Sequence, residues 1–288
     1  MWLLVGGDSE IGSATHRILK AQGVAATPTT RRRDRAAPCR PLLDLGSALD
    51  DWQPPAATRA ACIFVAIARL AACDADPAGS AHVNVTQTLA LIDRLIERDI
   101  YVLFLSTNQV FDGSVPHVAA DAPASPISEY GRQKARTETA LRQRMENGAR
   151  VAILRLAKVV SPGMPLIRNW IAALSQGQPI RAFHDMMMAP TSTTLVSEAI
   201  IALLRNEACG VFQFTGPRDV SYADTGRYLA GRLKADPGLV IETSALDNRL
   251  PKGATPKHTT LDSTAMRERF GLICPDAWRV IDTVGDGA

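Results

Sequence analysis

The chain has no apolar run long enough to cross a bilayer, no cysteine pair at C-x-x-C spacing, and no basic run beyond Arg31-Arg32-Arg33. Each absence removes a class of protein. Without a span of about 20 apolar residues, a membrane helix is excluded. The five cysteines (Cys39, Cys62, Cys73, Cys209 and Cys274) are scattered. That argues against a zinc site and against a disulfide framework, and most of them read as buried free thiols. A formal charge of +3 over 288 residues, with one short basic run, is too little for a nucleic-acid binder. The five histidines (His16, His82, His117, His184 and His258) show no metal-ligand spacing, so no metal is expected and structural or surface roles are. The first strand starts almost at Met1, which is expected to leave no room for a signal peptide and to place the protein in the cytoplasm. Neither an internal repeat nor a low-complexity tail is present.

What is there reads as a large α/β protein. Residues 1–160 alternate short apolar strands with amphipathic helices, the pattern of a parallel sheet covered on both faces. Strands are expected at Trp2–Val5, Val24–Thr27, Cys62–Ile67, Tyr101–Leu105 and Val151–Leu156, and helices at Ile11–Gln22, Ala81–Arg98 and Tyr130–Glu146. The segment Gly113–Pro126, with its prolines, reads as a loop over the end of the sheet. Residues 161–288 read as a smaller lobe, with a segment near 191–216 returning to the main sheet. Its expected helices are Met164–Gln176, Ser221–Leu233 and a terminal Asp262–Phe270, with Pro251–His258 as loop.

The first strand runs into Gly6-Gly7-Asp8-Ser9-Glu10-Ile11-Gly12. Between a strand and a helix, such a turn lets backbone approach a pyrophosphate at the positive end of the helix. Ser9 stands where a G-x-x-G-x-x-G pattern has its middle glycine; it is small and can itself donate to phosphate. The second strand is followed by Thr29-Thr30-Arg31-Arg32-Arg33, with no carboxylate before Asp34. Arginine forks suit a 2′-phosphate, so NADP(H) is the expected cofactor and NAD(H) the second choice; the alternative for the run is a solvated basic turn. Asp44 in Leu42-Leu43-Asp44-Leu45 falls where a third strand would end and reach the adenine, or else caps a following helix.

The chemistry is carried by Leu105-Ser-Thr-Asn-Gln-Val-Phe-Asp112 and by Tyr130-Gly-Arg-Gln-Lys134. The first puts a hydroxyl at the end of a buried strand. The second puts a phenol and an ammonium four residues apart, on one helical face. A cation beside a phenol is expected to lower its pKa, which suits proton exchange with a carbonyl or an alcohol. Ser106 and Thr107 alternate across the strand, so only one of them can face the site.

These motifs resemble the extended short-chain dehydrogenases/reductases, in the dTDP-4-dehydrorhamnose reductase branch. Ser106–Gly113 is similar to S-T-D-Y-V-F-D-G, and Tyr130 to Glu138 to Y-G-x-x-K-x-x-x-E. Val83-Asn84 matches a V-N pair, Asp185–Thr191 resembles D-Q-x-G-x-P-T, and Pro256–Asp262 with Phe270-Gly-Leu272 resembles R-P-x-x-x-x-L-D…F-G-L. The chain departs from the branch at Ser9, at Asn108-Gln109 for Asp-Tyr, at Met186–Met188 for a more polar stretch, and at Cys73 for Asp. The methionines read as packing.

The resemblance implies a Rossmann-type doubly wound parallel sheet with a smaller C-terminal substrate-binding lobe. It also implies NADPH-dependent reduction of a nucleotide-linked 4-keto sugar, while the sequence leaves the oligomeric state open, with a homodimer as one option. It assigns Thr107, in preference to Ser106, to polarise the substrate carbonyl, Tyr130 to give the proton, and Lys134 to tune the phenol and bind the nicotinamide ribose. It assigns cofactor binding to Gly6, Ser9, Glu10, Ile11, Gly12, Arg31, Arg32, Asp44, Leu45, Ala66, Ile67, Ala68, Asn84, Tyr130 and Lys134. Two further readings use the same motifs: an NAD-dependent sugar-nucleotide epimerase or dehydratase, and a non-catalytic dinucleotide-binding regulatory subunit.

Overall fold

The computed structural model describes residues 1–49, 52–248 and 250–285. From the N-terminus, β1 (Trp2–Val5) leads through the glycine turn into α1 (Glu10–Ala21), which Ser9 caps by accepting from the Gly12 amide. β2 (Ala26–Pro28) and β3 (Ala60–Ile63) follow, both parallel to β1. Two short helices, α2 (Leu70–Ala75) and α3 (Pro77–Ala81), run into a π-helical turn at His82–Gln87 and then α4 (Thr88–Ile96). β4 (Tyr101–Thr107), α5 (Glu129–Glu146) and β5 (Val151–Leu156) complete the first part.

The second part contains β6 (Val159–Val160), α6 (Pro165–Ser175), β7 (Ile180–Phe183), β8 (Met187–Met188), β9 (Thr191–Ser192) and α7 (Thr193–Asn206). β10 (Gly210–Phe214), β11 (Val220–Ser221), α8 (Tyr222–Leu233), β12 (Val240–Thr243), α9 (Thr264–Phe270) and α10 (Ala277–Gly285) follow. Six strands form one parallel sheet in the order β10-β5-β4-β3-β1-β2, and β10 pairs with β5. The pairs β6/β9, β7/β12 and β8/β11 stand apart from it.

Alternation along the strands fills two cores. On one face Leu4, Cys62, Leu103 and Leu154 pack against Val196, Ile200 and Leu203 of α7. On the other, Leu3, Ile63, Val102, Phe104 and Ile153 pack against Leu91, Ile92 and Leu95 of α4 and Leu141 of α5. This is the doubly wound Rossmann-type sheet expected from the sequence. A third core joins Ile167 and Trp170 of α6, Leu229 of α8 and Val280 and Ile281 of α10, with Trp170 edge-on to Tyr222. No helix among the described residues is long and apolar enough to cross a membrane.

Besides shifts of a few residues at strand ends, three elements differ from the sequence reading. The segment 42–45 forms no sheet strand, only an isolated bridge between Thr30 and Leu42. The helix expected over Ala81–Arg98 opens into the π turn, where the Thr88 hydroxyl donates to Val83 O and the Thr137 hydroxyl to Asn84 O. Hydroxyls on those carbonyls favour a widened turn over a regular ladder. The helix ending at Phe270 is not terminal, because α10 follows it.

Candidate active site

All six sheet strands present their carboxyl ends to one edge, where an open α/β sheet binds its ligands. The glycine turn at that edge is sterically constrained. Gly6 has φ +83°, and a Cβ there would lie 2.6 Å from Val65 Cγ2. A Cβ on Gly12 would lie 2.9 Å from Gly6 O. Ser9 spends its oxygen as the cap of α1, accepting from Gly12 N at 3.1 Å. Glu10 is exposed and Ile11 half-buried in the first turn of α1. Thr29 accepts from Gly6 N at 3.0 Å, tying the exit of β2 to the turn.

Arg31 and Arg32 are exposed beyond β2. Asp44 is exposed as well, but its Oδ1 accepts from Gly46 N at 2.9 Å in a tight turn, so it neither ends a strand nor caps a helix. Leu45 is buried in the core behind. At the exit of β3, Ala66 and Ile67 are half-buried and Ala68 is exposed. Asn84, 1 % exposed, clamps Ile67: its Oδ1 accepts from Ile67 N at 2.8 Å and its Nδ2 donates to Ile67 O at 2.9 Å. The same amide donates to Gln133 Oε1 at 2.7 Å. Asn84 is therefore spent on the backbone of the β3 exit and on Gln133 of α5, not directed at open space.

β4 runs two residues further than its apolar run, so Ser106 and Thr107 both lie in the ladder with β5. Their side chains part as alternation requires. Ser106 donates to Glu138 Oε1 at 2.5 Å inside the protein. Thr107 ends the strand and accepts from Gln109 N at 3.2 Å. α5 starts beside it. Its cap Ser128 accepts from Gly131 N and donates to Gln109 Oε1, and a Cβ on Gly131 would lie 2.1 Å from Gln109 O. That contact seats the first turn of α5, with Tyr130, against the exit of β4. Lys134, one turn on and 3 % exposed, donates to Leu105 O at 2.8 Å. Its Nζ lies 4.2 Å from the Phe104 ring centroid and 6.0 Å from that of Tyr130.

The electrostatics run against the expectation of a lowered phenol pKa. Burial, with the nearby Cys73 thiol as a second cause, pushes Tyr130 above its ordinary value. Burial also pushes Lys134 down to about 7, opposed by Glu138. The ammonium is bonded to a carbonyl and stands 6.0 Å from the phenol ring, so it does not offset the burial of the phenol.

Several supports of the site escaped the motifs. Gln133, fully buried between Tyr130 and Lys134, donates to Ser80 Oγ at 2.8 Å and Glu129 Oε1 at 3.1 Å while accepting from Asn84. Arg155 grips Glu138 through Nη2–Oε2 at 2.6 Å and reaches Ala120 O in the overlying loop at 3.1 Å. Asp219 gathers His258, Thr259 and Thr260, and His258 N donates to Gly113 O. Asp185 accepts from Ser244 Oγ and Ala245 N, tying the exit of β7 to that of β12. Met188 is buried in the third core, with Met186 packed against it. The signal for Gln133 lay in its position alone: an amide between two site residues on a helix has a face to share with them.

The parallel sheet thus carries a glycine turn at its first strand and a tyrosine and a lysine seated at its fourth. The sequence model described as the RmlD substrate binding domain matches residues 1–282, and the chain belongs to that family. It is 32% identical over 175 residues to a dTDP-4-keto-6-deoxy-D-glucose reductase of Streptomyces niveus, covering 60% of this chain and 59% of that one, well short of that relative's full length. With a probable low-salt glycan biosynthesis reductase of Haloferax volcanii it shares 26% identity over 94% of this chain and 93% of that one. Among solved structures, it resembles the dTDP-4-dehydrorhamnose reductase of Bacillus anthracis in complex with NADP, at TM-score 0.83, 14% identity, and coverage of 100% of this chain and 99% of that one.

Proposed function

We propose that the chain is an NADPH-dependent reductase of a nucleotide-linked 4-keto sugar, with Tyr130 as proton donor and Thr107 and Lys134 as its partners. The carrying observation is the seating of Tyr130 and Lys134 against the exit of β4, held by the Gly131–Gln109 contact and the Lys134–Leu105 hydrogen bond. The names of the relatives supply the substrate class.

The residues present fit a dinucleotide. Gly6, Gly7 and Gly12 each leave no room for a Cβ where backbone must approach phosphate, and Arg31 and Arg32 offer exposed guanidinium faces beyond β2. When bound, NADPH supplies the hydride. The protein's part is the proton and its placement. Thr107 presents a hydroxyl at the strand end to the substrate carbonyl. Tyr130 holds its proton firmly because burial raises its pKa, which suits the reductive direction: the developing alkoxide is a stronger base than a phenolate and draws the proton across. Lys134, once protonated, neutralises the phenolate that remains.

The test is NADPH oxidation by purified protein against a panel of nucleotide-linked 4-keto sugars, with Tyr130→Phe alongside. Turnover of one panel member is expected, falling by about 10²–10⁴-fold in the variant while NADPH still binds. Full activity in Tyr130→Phe would refute the assignment.

A further inference from the structure

Asp8 sits inside the glycine turn, where the fold brings phosphates to the positive end of a helix. A carboxylate has the wrong sign for that ligand. The structure draws it away. The Thr30 hydroxyl donates to Asp8 Oδ2, and Arg40 Nη1 pairs with Asp8 Oδ1 at 2.5 Å. Thr30 is 1 % exposed and lies just past the end of β2, the place from which this fold distinguishes a ribose hydroxyl from a 2′-phosphate. The segment leaving β2 carries no carboxylate before Asp34. The charge arrives instead through space, from the turn after β1.

Arg40 closes a loop whose base is fixed by Thr30 N donating to Pro41 O and Leu43 N donating to Thr30 O. The Thr30 hydroxyl also accepts from Arg32 N at 3.0 Å, setting the near limb of that loop. Arginines thus flank Thr30 on both limbs. Arg31 and Arg32 stand exposed on one, while Arg40 on the other is engaged with Asp8.

Building on the reductase reading, we propose that the Asp8–Arg40 pair sets the cofactor preference of this chain. Arg40 cancels the Asp8 carboxylate, and the neutral pair leaves Arg31 and Arg32 to take a 2′-phosphate. With Arg40 removed, the same carboxylate repels the phosphate and accepts from the ribose hydroxyls, so NADH gains. With Asp8 neutralised, Arg40 is released as a further phosphate ligand. The two substitutions act in opposite directions, although they break the same contact.

The experiment is titration of NADPH and NADH by calorimetry, with no substrate present, into wild type, Arg40→Ala, Arg40→Lys, Asp8→Asn and the Asp8→Asn/Arg40→Ala double variant. The NADPH-to-NADH affinity ratio is expected to fall by about tenfold or more in Arg40→Ala, the scale of one unscreened charge near a phosphate. It is expected to stay near wild type in Arg40→Lys, rise in Asp8→Asn, and fall less in the double variant than in Arg40→Ala. Should Arg40→Ala fail to fold, the rise in Asp8→Asn and the constancy in Arg40→Lys still decide the matter. A ratio that moves the same way in Asp8→Asn and Arg40→Ala would make the pair a mere loop fastener and overturn the inference alone. Wild type that binds neither nucleotide would overturn the reductase reading, and this one with it.

Discussion

Lys134 offers the sharpest measurement, because its burial has a thermodynamic signature independent of any substrate. Its ordinary pKa of 10.5 falls to about 7 in the folded protein, chiefly through burial. Between those values the unfolded chain holds a proton that the folded chain has released, so stability rises with pH across the window and is lost again as pH falls towards 7. Each unit of pH contributes about 1.4 kcal/mol per proton of difference. That difference grows from about one half at pH 7 to nearly one at pH 9, so the gain over this interval is about 2 kcal/mol. Lys134→Met keeps an unbranched chain against Phe104 and removes the titration. Urea unfolding of both proteins at pH 7 and pH 9 should show the wild type gaining about 2 kcal/mol relative to the variant. Tyr101, Cys62 and the other titrating groups are common to both proteins and cancel. If the two proteins gain or lose stability in parallel, Lys134 does not carry the depressed pKa, and the account of why the phenol is left untuned fails with it.

Arg155→Met leaves Glu138 buried without its partner and is expected to cost about 3–5 kcal/mol in urea unfolding; adding Glu138→Gln should recover part of the loss. Gly131→Ala places a Cβ 2.1 Å from Gln109 O, so the start of α5 must shift from the β4 exit. A stability loss of about 1–3 kcal/mol is expected, with kcat falling further than NADPH affinity, and an unchanged kcat would contradict the seating described for Tyr130.

The sheet was legible where apolar runs coincide with ladders. β1 and β5 match their runs residue for residue, because every position in them but the half-buried Trp2 is buried. β4 was read short because Ser106 and Thr107 are polar, yet they pair with Arg155 and Leu156. β3 was read late: Gly6, at φ +83°, turns the neighbouring chain away after Val5, so the pairing stops at Ile63 although Phe64 and Val65 are apolar. The apolar positions around Leu43 and Leu45 suggested a strand, but they face the core from a loop closed on Thr30. α10 had a signal that went unread, since Trp278, Ile281 and Val284 recur at helical spacing. In the site, the phenol and cation were visible as types and spacing. Their pKa values were not, because desolvation depends on what covers them.

Two cations buried near α5 show how that difference separates support from chemistry. Arg155 is 1 % exposed and surrounded by acceptors that match its fork: both oxygens of Glu138, Gln213 Oε1 and Ala120 O. Such a group is at rest in the folded protein, and losing a partner can only harm it. Lys134 is 3 % exposed, yet its hydrogen bond goes to one neutral carbonyl and its nearest aromatic is Phe104. Burial therefore drives its proton off near neutrality. A lysine left short of negative charge at the end of a parallel sheet gains most from whatever acceptor next comes within reach, whether a phenolate formed at Tyr130 or a ligand hydroxyl placed to accept from it. The deficit is useful only at a site where charge appears transiently, and it distinguishes Lys134 from the better-served arginine one helical turn and one strand away. If so, cofactor binding above pH 7 should draw a proton onto Lys134, and NADPH titrations in buffers of different ionisation enthalpy should report that uptake in the wild type and not in Lys134→Met.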